Sequence, residues 1–124
     1  MIILLIALGG AVGSVARYLL GRAVQGALHL EFPIGTFTVN VVGCLVIGVL
    51  AKFFMNSQTE LPLRATLMIG FCGGFTTFST FSYETLALMR GGEWGKATAH
   101  VVLRAVVCVG ATATGFAFGR PLNP

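Results

Sequence analysis

Long apolar runs alternate along the chain with short polar interruptions, and the run lengths carry the first inference. Apolar residues dominate 2–24, 34–55, 63–89 and 94–118; polar segments around His29 and Glu31, across Asn56-Ser57-Gln58-Thr59-Glu60 and across Arg90-Gly91-Gly92-Glu93 separate them. A helix needs about 20 apolar residues to cross a hydrocarbon core about 30 Å thick. Four crossing helices with very short connections are therefore expected, Pro33 and Pro62 opening the second and third, and Trp94 and Lys96 sitting at the interface. The expected architecture is a single all-α integral membrane domain over residues 1–124, with no soluble domain. Residues 2–20 resemble a secretory leader, with Ser14-Val15-Ala16 as a small-residue site, but no basic residue precedes them and three apolar runs follow. A first spanning helix is the simpler expectation.

The third run departs from a plain helix. Residues 70–82 are dense in glycine and hydroxyls and poor in helix formers. Paired glycines cost about 1 kcal/mol each relative to alanine in a helix interior, so this span is expected to break. Arms of about ten residues, each ~15 Å long, place the break near the bilayer midplane. Backbone groups freed at that depth must be satisfied by protein, water or an ion, so irregular backbone there lines a cavity or coordinates something. The spacings Gly9 to Gly13, Gly70 to Gly74 and Gly115 to Gly119 each permit close helix approach.

Composition narrows the class further. Of the residues, 56% are hydrophobic and 10% charged, and the mean hydropathy of +0.89 lies outside the range of soluble domains. The net charge of +4 comes from scattered single Lys and Arg residues, which argues against nucleic acid and for membrane-edge anchors. If the runs cross four times, Lys52, Arg64 and Arg120 fall on one side and Arg22, Arg90 and Lys96 on the other. Lys and Arg asymmetry sets orientation, so this balance predicts insertion either way up and an antiparallel, dual-topology homodimer. Counting Arg17 with Arg22 gives the alternative of a single orientation.

Cys44, Cys72 and Cys108 lack metal or redox spacing and read as packing residues, and His29 and His100 read as incidental. With Glu31, Glu60, Glu84 and Glu93 as the only acids, no catalytic set forms, and the chain reads as a conduit and not an enzyme. Polar residues inside apolar runs are expensive and mark function or pairing. Arg17, near the end of the first run, can snorkel, whereas Arg104 in the fourth has no evident role. Asn40 in the second offers an amide either to another helix or to a permeating anion. Phe78 and Phe81, three apart, share one helical face, and the positive edges of their rings can meet an anion without trapping it.

Gly70-Phe71-Cys72-Gly73-Gly74-Phe75-Thr76-Thr77-Phe78-Ser79-Thr80-Phe81-Ser82, preceded by Pro33-Ile34-Gly35-Thr36 and Asn40-Val41-Val42-Gly43, resembles the signature of the Fluc/CrcB fluoride-channel family. Gly13-Ser14-Val15-Ala16-Arg17-Tyr18 is similar to that family as well, and the resemblance covers essentially the whole chain. It implies a dual-topology dimer with two antiparallel pores. Phe78 and Phe81 would be the pore phenylalanines, Asn40 the pore asparagine, Ser79 and Thr80 part of a hydroxyl track, and Glu84 and Thr36 residues near a pore mouth. Backbone carbonyls of Gly73 and Thr76 from both subunits would hold a central sodium ion, and Arg17 would be the arginine the family carries in its first helix. Two features depart from the pattern: Gly110-Ala111 stands where the family usually has Gly-Ser, leaving a pore hydroxyl missing or supplied by Thr112, and Arg104 is unexpected.

The implied activity is passive. Hydrogen fluoride enters uncharged and ionises in the cytoplasm, and the anion leaves down its gradient through the bacterial inner membrane, conferring fluoride resistance. The rivals are a proton-coupled exporter of the small multidrug type, which needs a membrane-embedded acid that the first helix lacks, and a non-transporting assembly subunit, which needs neither the break nor Asn40.

Overall fold

Residues 1–57 and 61–122 are described by the structure, a computed structural model. Of the expected polar loop at 56–60, Gln58, Thr59 and Glu60 lie outside the described residues. Every regular element among the described residues is helical. Helix α1 is Ile2–Leu28 and α2 is Ile34–Phe53. Helix α3 covers residues 61–75 as three joined pieces: Leu61–Arg64, a widened π-helical stretch Ala65–Cys72, and Gly73–Phe75. Helices α4, Phe78–Arg90, and α5, Trp94–Phe118, follow. Helices α1, α2 and α5 are each long and apolar enough to cross a membrane. Neither α3 nor α4 is long enough alone, because the chain breaks between them.

The distribution of side chains is inverted relative to a protein in water. Asn40, Thr77, Thr85, His100 and Arg104 are buried, while Leu4, Leu8, Val12, Leu19, Val106 and Val109 are exposed. Buried polar groups surrounded by an apolar exterior suit a hydrocarbon solvent, in which only internal partners can satisfy polar atoms. The protein is a membrane protein.

Close backbone approach holds the helices together. α1 packs on α3, and α2 packs on α5. A methyl group on Gly9 or Gly13 would strike the Thr66 or Phe71 carbonyl of α3, and one on Gly70 or Gly74 would strike Ile6 or Gly10 of α1. On the other side, Gly48 lies against the Thr112 carbonyl, Gly115 against that of Leu45, and Gly119 against the Lys52 side chain. All three four-residue glycine spacings are therefore contact surfaces. Lipid tails supply no hydrophobic drive between helices, so this shape fit takes its place.

Two connections are tightly built. His29 ends α1 in the left-handed conformation (φ 48°). The Gln25 side chain donates to the carbonyls of Leu30 (2.7 Å) and Phe32 (3.3 Å) and accepts from the Gly35 N–H (3.0 Å), which satisfies an orphan donor at the start of α2. These bonds carry α1 four residues past the expected end at residue 24. Between α4 and α5, Gly92 takes a positive φ of 78°, where a side chain would be strained.

Candidate functional site

The break falls on Thr76 and Thr77, and not on the glycines. Gly73 is helical (φ −63°, ψ −38°), while Thr76 (−83°, 156°) and Thr77 (−147°, 124°) are extended. The glycines stay helical because they lie within the packed segment, with Gly70 and Gly74 seated on α1. The two threonines are β-branched and poor helix formers, and their hydroxyls compete for backbone groups. Thr76 Oγ1 donates back to the Cys72 carbonyl (2.8 Å). Thr77 caps α4: its hydroxyl accepts from the Thr80 N–H (3.2 Å) and bonds the hydroxyls of Thr80 (3.1 Å) and Ser79 (3.3 Å).

Asn40 closes the gap from α2. Its Oδ1 accepts from the Thr77 N–H at 2.8 Å and its Nδ2 donates to the Thr77 carbonyl at 3.1 Å, so one buried amide serves both backbone groups at the break. One N–H of Nδ2 is left over. Because Thr77 N–H turns to Asn40, the Gly73 carbonyl loses its helical partner, and the last turn of α3 presents carbonyls at its electronegative end. Two arginines reach the same place. Arg17 Nη1 lies 3.5 Å from the Thr76 carbonyl and Arg104 Nη1 lies 3.5 Å from that of Thr77, both at the long limit of hydrogen bonding. Arg17 thus points at the break from the middle of α1.

Most of the expected site residues divide between two spaces that share Thr77, and Gly73 borders neither. A polar cavity of about 590 Å³ is lined by Arg17, Thr36, Thr80 and Glu84, among others. Thr36 Oγ1 donates to Glu84 Oε1 at 2.5 Å. Glu31 also borders this cavity, and the Lys96 ammonium, bonded to it at 2.8 Å, holds its carboxyl below the usual carboxylate range. An apolar cleft of about 480 Å³ takes in Asn40, Thr76, Phe78, Phe81, Arg104 and Cys108. Ser79 borders neither space and lies beside Thr77.

Within the cleft the two phenylalanines differ. Their ring centroids are 5.3 Å apart, but Phe78 is 76% exposed and Phe81 only 9%. Phe78 faces out of the protomer. Phe81 is enclosed by Arg104, whose Cζ stands 4.4 Å from its ring centroid, and by His100, 5.0 Å away. A guanidinium over the ring face meets its negative quadrupole, so the positive hydrogen edge remains for an anion.

His100 belongs to the site, contrary to the expectation that it is incidental. It is fully buried, with Nε2 3.5 Å from Glu84 Oε2, an approach outside hydrogen-bond geometry. Its signal was spacing: His100, Arg104 and Cys108 recur every four residues and form one stripe of α5. Thr77 was also missed, because its partner Asn40 is distant in sequence. Thr112 lies outside the residues lining the cleft, and its hydroxyl bonds the Cys108 carbonyl of its own helix (3.1 Å).

The model of the family described as CrcB-like protein, Camphor Resistance (CrcB), matches residues 4–116. The chain belongs to the CrcB family. Among its CrcB relatives, a protein of Geobacter metallireducens named fluoride-specific ion channel FluC is 47% identical over 97% of this chain and 98% of its own. A FluC of Geobacter sulfurreducens is 45% identical over 97% and 98%, and one of Thermus thermophilus is 51% identical over 76% and 75%. CrcB membership places the chain in a family of ion channels and not of enzymes.

Proposed function

We propose that this protein is a fluoride channel that lets cytoplasmic fluoride leave passively down its electrochemical gradient. The observation that carries the reading is the convergence of Asn40, Phe78 and Phe81 on one cleft beside the broken backbone at Thr76 and Thr77. A desolvated small anion needs weak donors arranged to replace its water, and ring edges, an amide N–H and the free N–H groups opening α4 are such donors. The ion would pass between the cleft and the polar cavity of Thr36, Thr80 and Glu84 by way of Thr77, with Thr80 offering its hydroxyl on the cavity side and Ser79 acting through its bond to the Thr77 hydroxyl.

In this reading α3 and α4 together form a fourth crossing, and two copies assemble antiparallel with two pores. The balanced basic residues support dual topology, and the outward Phe78 supports a path completed by a second copy. The carbonyls of Gly73 and Thr76 suit a hard monovalent cation, and they would hold a sodium ion at the dimer centre, where it neutralises the carbonyl ends of two helices. Arg17 positions the break by reaching the Thr76 carbonyl. The setting is the bacterial inner membrane, and the physiological result is fluoride resistance.

Ion efflux from liposomes holding the native protein or Phe81→Ile tests the path. Fluoride release that falls at least tenfold in the mutant, with the dimer intact by size exclusion, is the expected result. Equal release from both would remove Phe81 from the path and overturn the proposed geometry.

A further inference from the structure

Arg104 carries a buried charge with no direct ion-pair partner among the described residues, Glu84 acting on it only across a distance greater than 4.0 Å. It is 93% buried, and its Nε and Nη2 have no hydrogen-bond partner among the described residues. Its one polar contact is the 3.5 Å approach of Nη1 to the Thr77 carbonyl. The carboxylates of the described residues are engaged elsewhere: Glu31 and Glu93 lie against Lys96, and Glu84 takes the Thr36 hydroxyl and faces His100. None of them lies within 4.0 Å of the Arg104 guanidinium. The Phe81 face contributes attraction but accepts no conventional hydrogen bond from Nε or Nη2. A buried guanidinium in this condition is strongly unfavourable unless an opposite charge joins it.

The cleft has room for that charge. Its volume of about 480 Å³ adjoins Arg104 between Asn40 and the two phenylalanines, and its remaining walls are largely apolar. Apolar walls exclude water, and the low local dielectric strengthens the guanidinium's pull on an anion that enters.

We propose that Arg104 is an anion-holding residue of the conduction path, its guanidinium drawing a small halide into the cleft beside Phe78 and Phe81 by charge, with Nε and Nη2 themselves enclosed by protein. This rests on the channel reading and adds a consequence to it: the ion is bound more tightly, and released more slowly, than along a path of neutral donors alone. An opposite unit charge ~6–12 Å away, at the effective dielectric of a protein interior, corresponds to about 10- to 100-fold in affinity.

The test uses the full-length protein with sodium fluoride as the probe. In liposomes, the fluoride concentration giving half-maximal efflux is compared for the native protein, Arg104→Gln and Arg104→Lys. The expected result is a rise of 10-fold or more in Arg104→Gln with maximal flux increased, and near-native behaviour in Arg104→Lys. In parallel, the ¹⁵N resonance of Arg104 Nε in the native protein, assigned by its loss in Arg104→Lys, is followed during titration with sodium fluoride against sodium gluconate of equal ionic strength. A saturable shift with fluoride alone is expected. This second measurement needs neither a foldable glutamine variant nor conduction, so absent efflux with a saturable shift would count against the channel reading and not against the site. An unshifted Nε resonance, or equal half-maximal concentrations for the native protein and Arg104→Gln, overturns the proposal and assigns the guanidinium to another partner, such as a group of a second copy.

Discussion

Replacing Asn40 with alanine removes both side-chain bonds that hold Thr77 and leaves its N–H and C=O buried without those partners. Each unsatisfied buried group costs about 1–3 kcal/mol, so the loss is on the order of 3 kcal/mol, close to 150-fold in the local opening equilibrium. The Arg104 Nη1 approach at 3.5 Å recovers little of this on the carbonyl side. Because the damage is confined to the break, amide hydrogen exchange at Thr77 is the direct assay, with amides of the α2 and α5 contact around Gly48 as internal reference. Thr77 exchange should accelerate at least 30-fold in Asn40→Ala while the reference amides change less than threefold. Asn40→Asp should be at least as damaging, because it keeps the acceptor for Thr77 N–H but sets a carboxylate oxygen against the Thr77 carbonyl. Thr77 exchange within twofold of native in Asn40→Ala would refute the clamp.

Other perturbations have defined outcomes. Gly48→Ala drives a methyl group into the Thr112 carbonyl and should destabilise the protein by about 1–3 kcal/mol, whereas Gly26→Ala, with open space around it, should be neutral or slightly stabilising; thermal unfolding in detergent separates them. Thr36→Val removes the donor to Glu84 and should slow fluoride efflux from liposomes without unfolding the protein, and an unchanged rate would take Thr36 out of the proposed mouth. NMR titration of Glu31 should give a midpoint below the ordinary glutamate value of about 4.3, rising in Lys96→Ala. The sign follows from the depressed pKa: the contact contributes at neutral pH and is lost as pH falls through the folded-state value.

Much of the fold was legible because a bilayer imposes length. The fourth apolar run matches α5 at both ends, since Glu93 and Gly119 mark clear boundaries. The existence of a break and its place within 70–82 were also readable, but which residues of that run leave the helix was not. Glycine propensity pointed to 70–74, yet those residues serve helix packing against α1, a tertiary demand that overrides local preference. The site was legible as a set of residue types and opaque as a geometry. Asn40 stood out as a polar residue in an apolar run, but its partner Thr77 depends on how α2 crosses the break. Arg17 gave the same mixed result, its cost visible and its direction toward Thr76 not. His100 escaped notice because a single histidine carries little meaning until its four-residue spacing to Arg104 is set on one helix face.

The most direct measurement of the central claim is paired fluoride and chloride efflux from liposomes containing the native protein, with ion-selective electrodes. Rapid fluoride release without chloride release is the predicted result. A folded, reconstituted protein that releases no fluoride, or releases both ions equally, would contradict it.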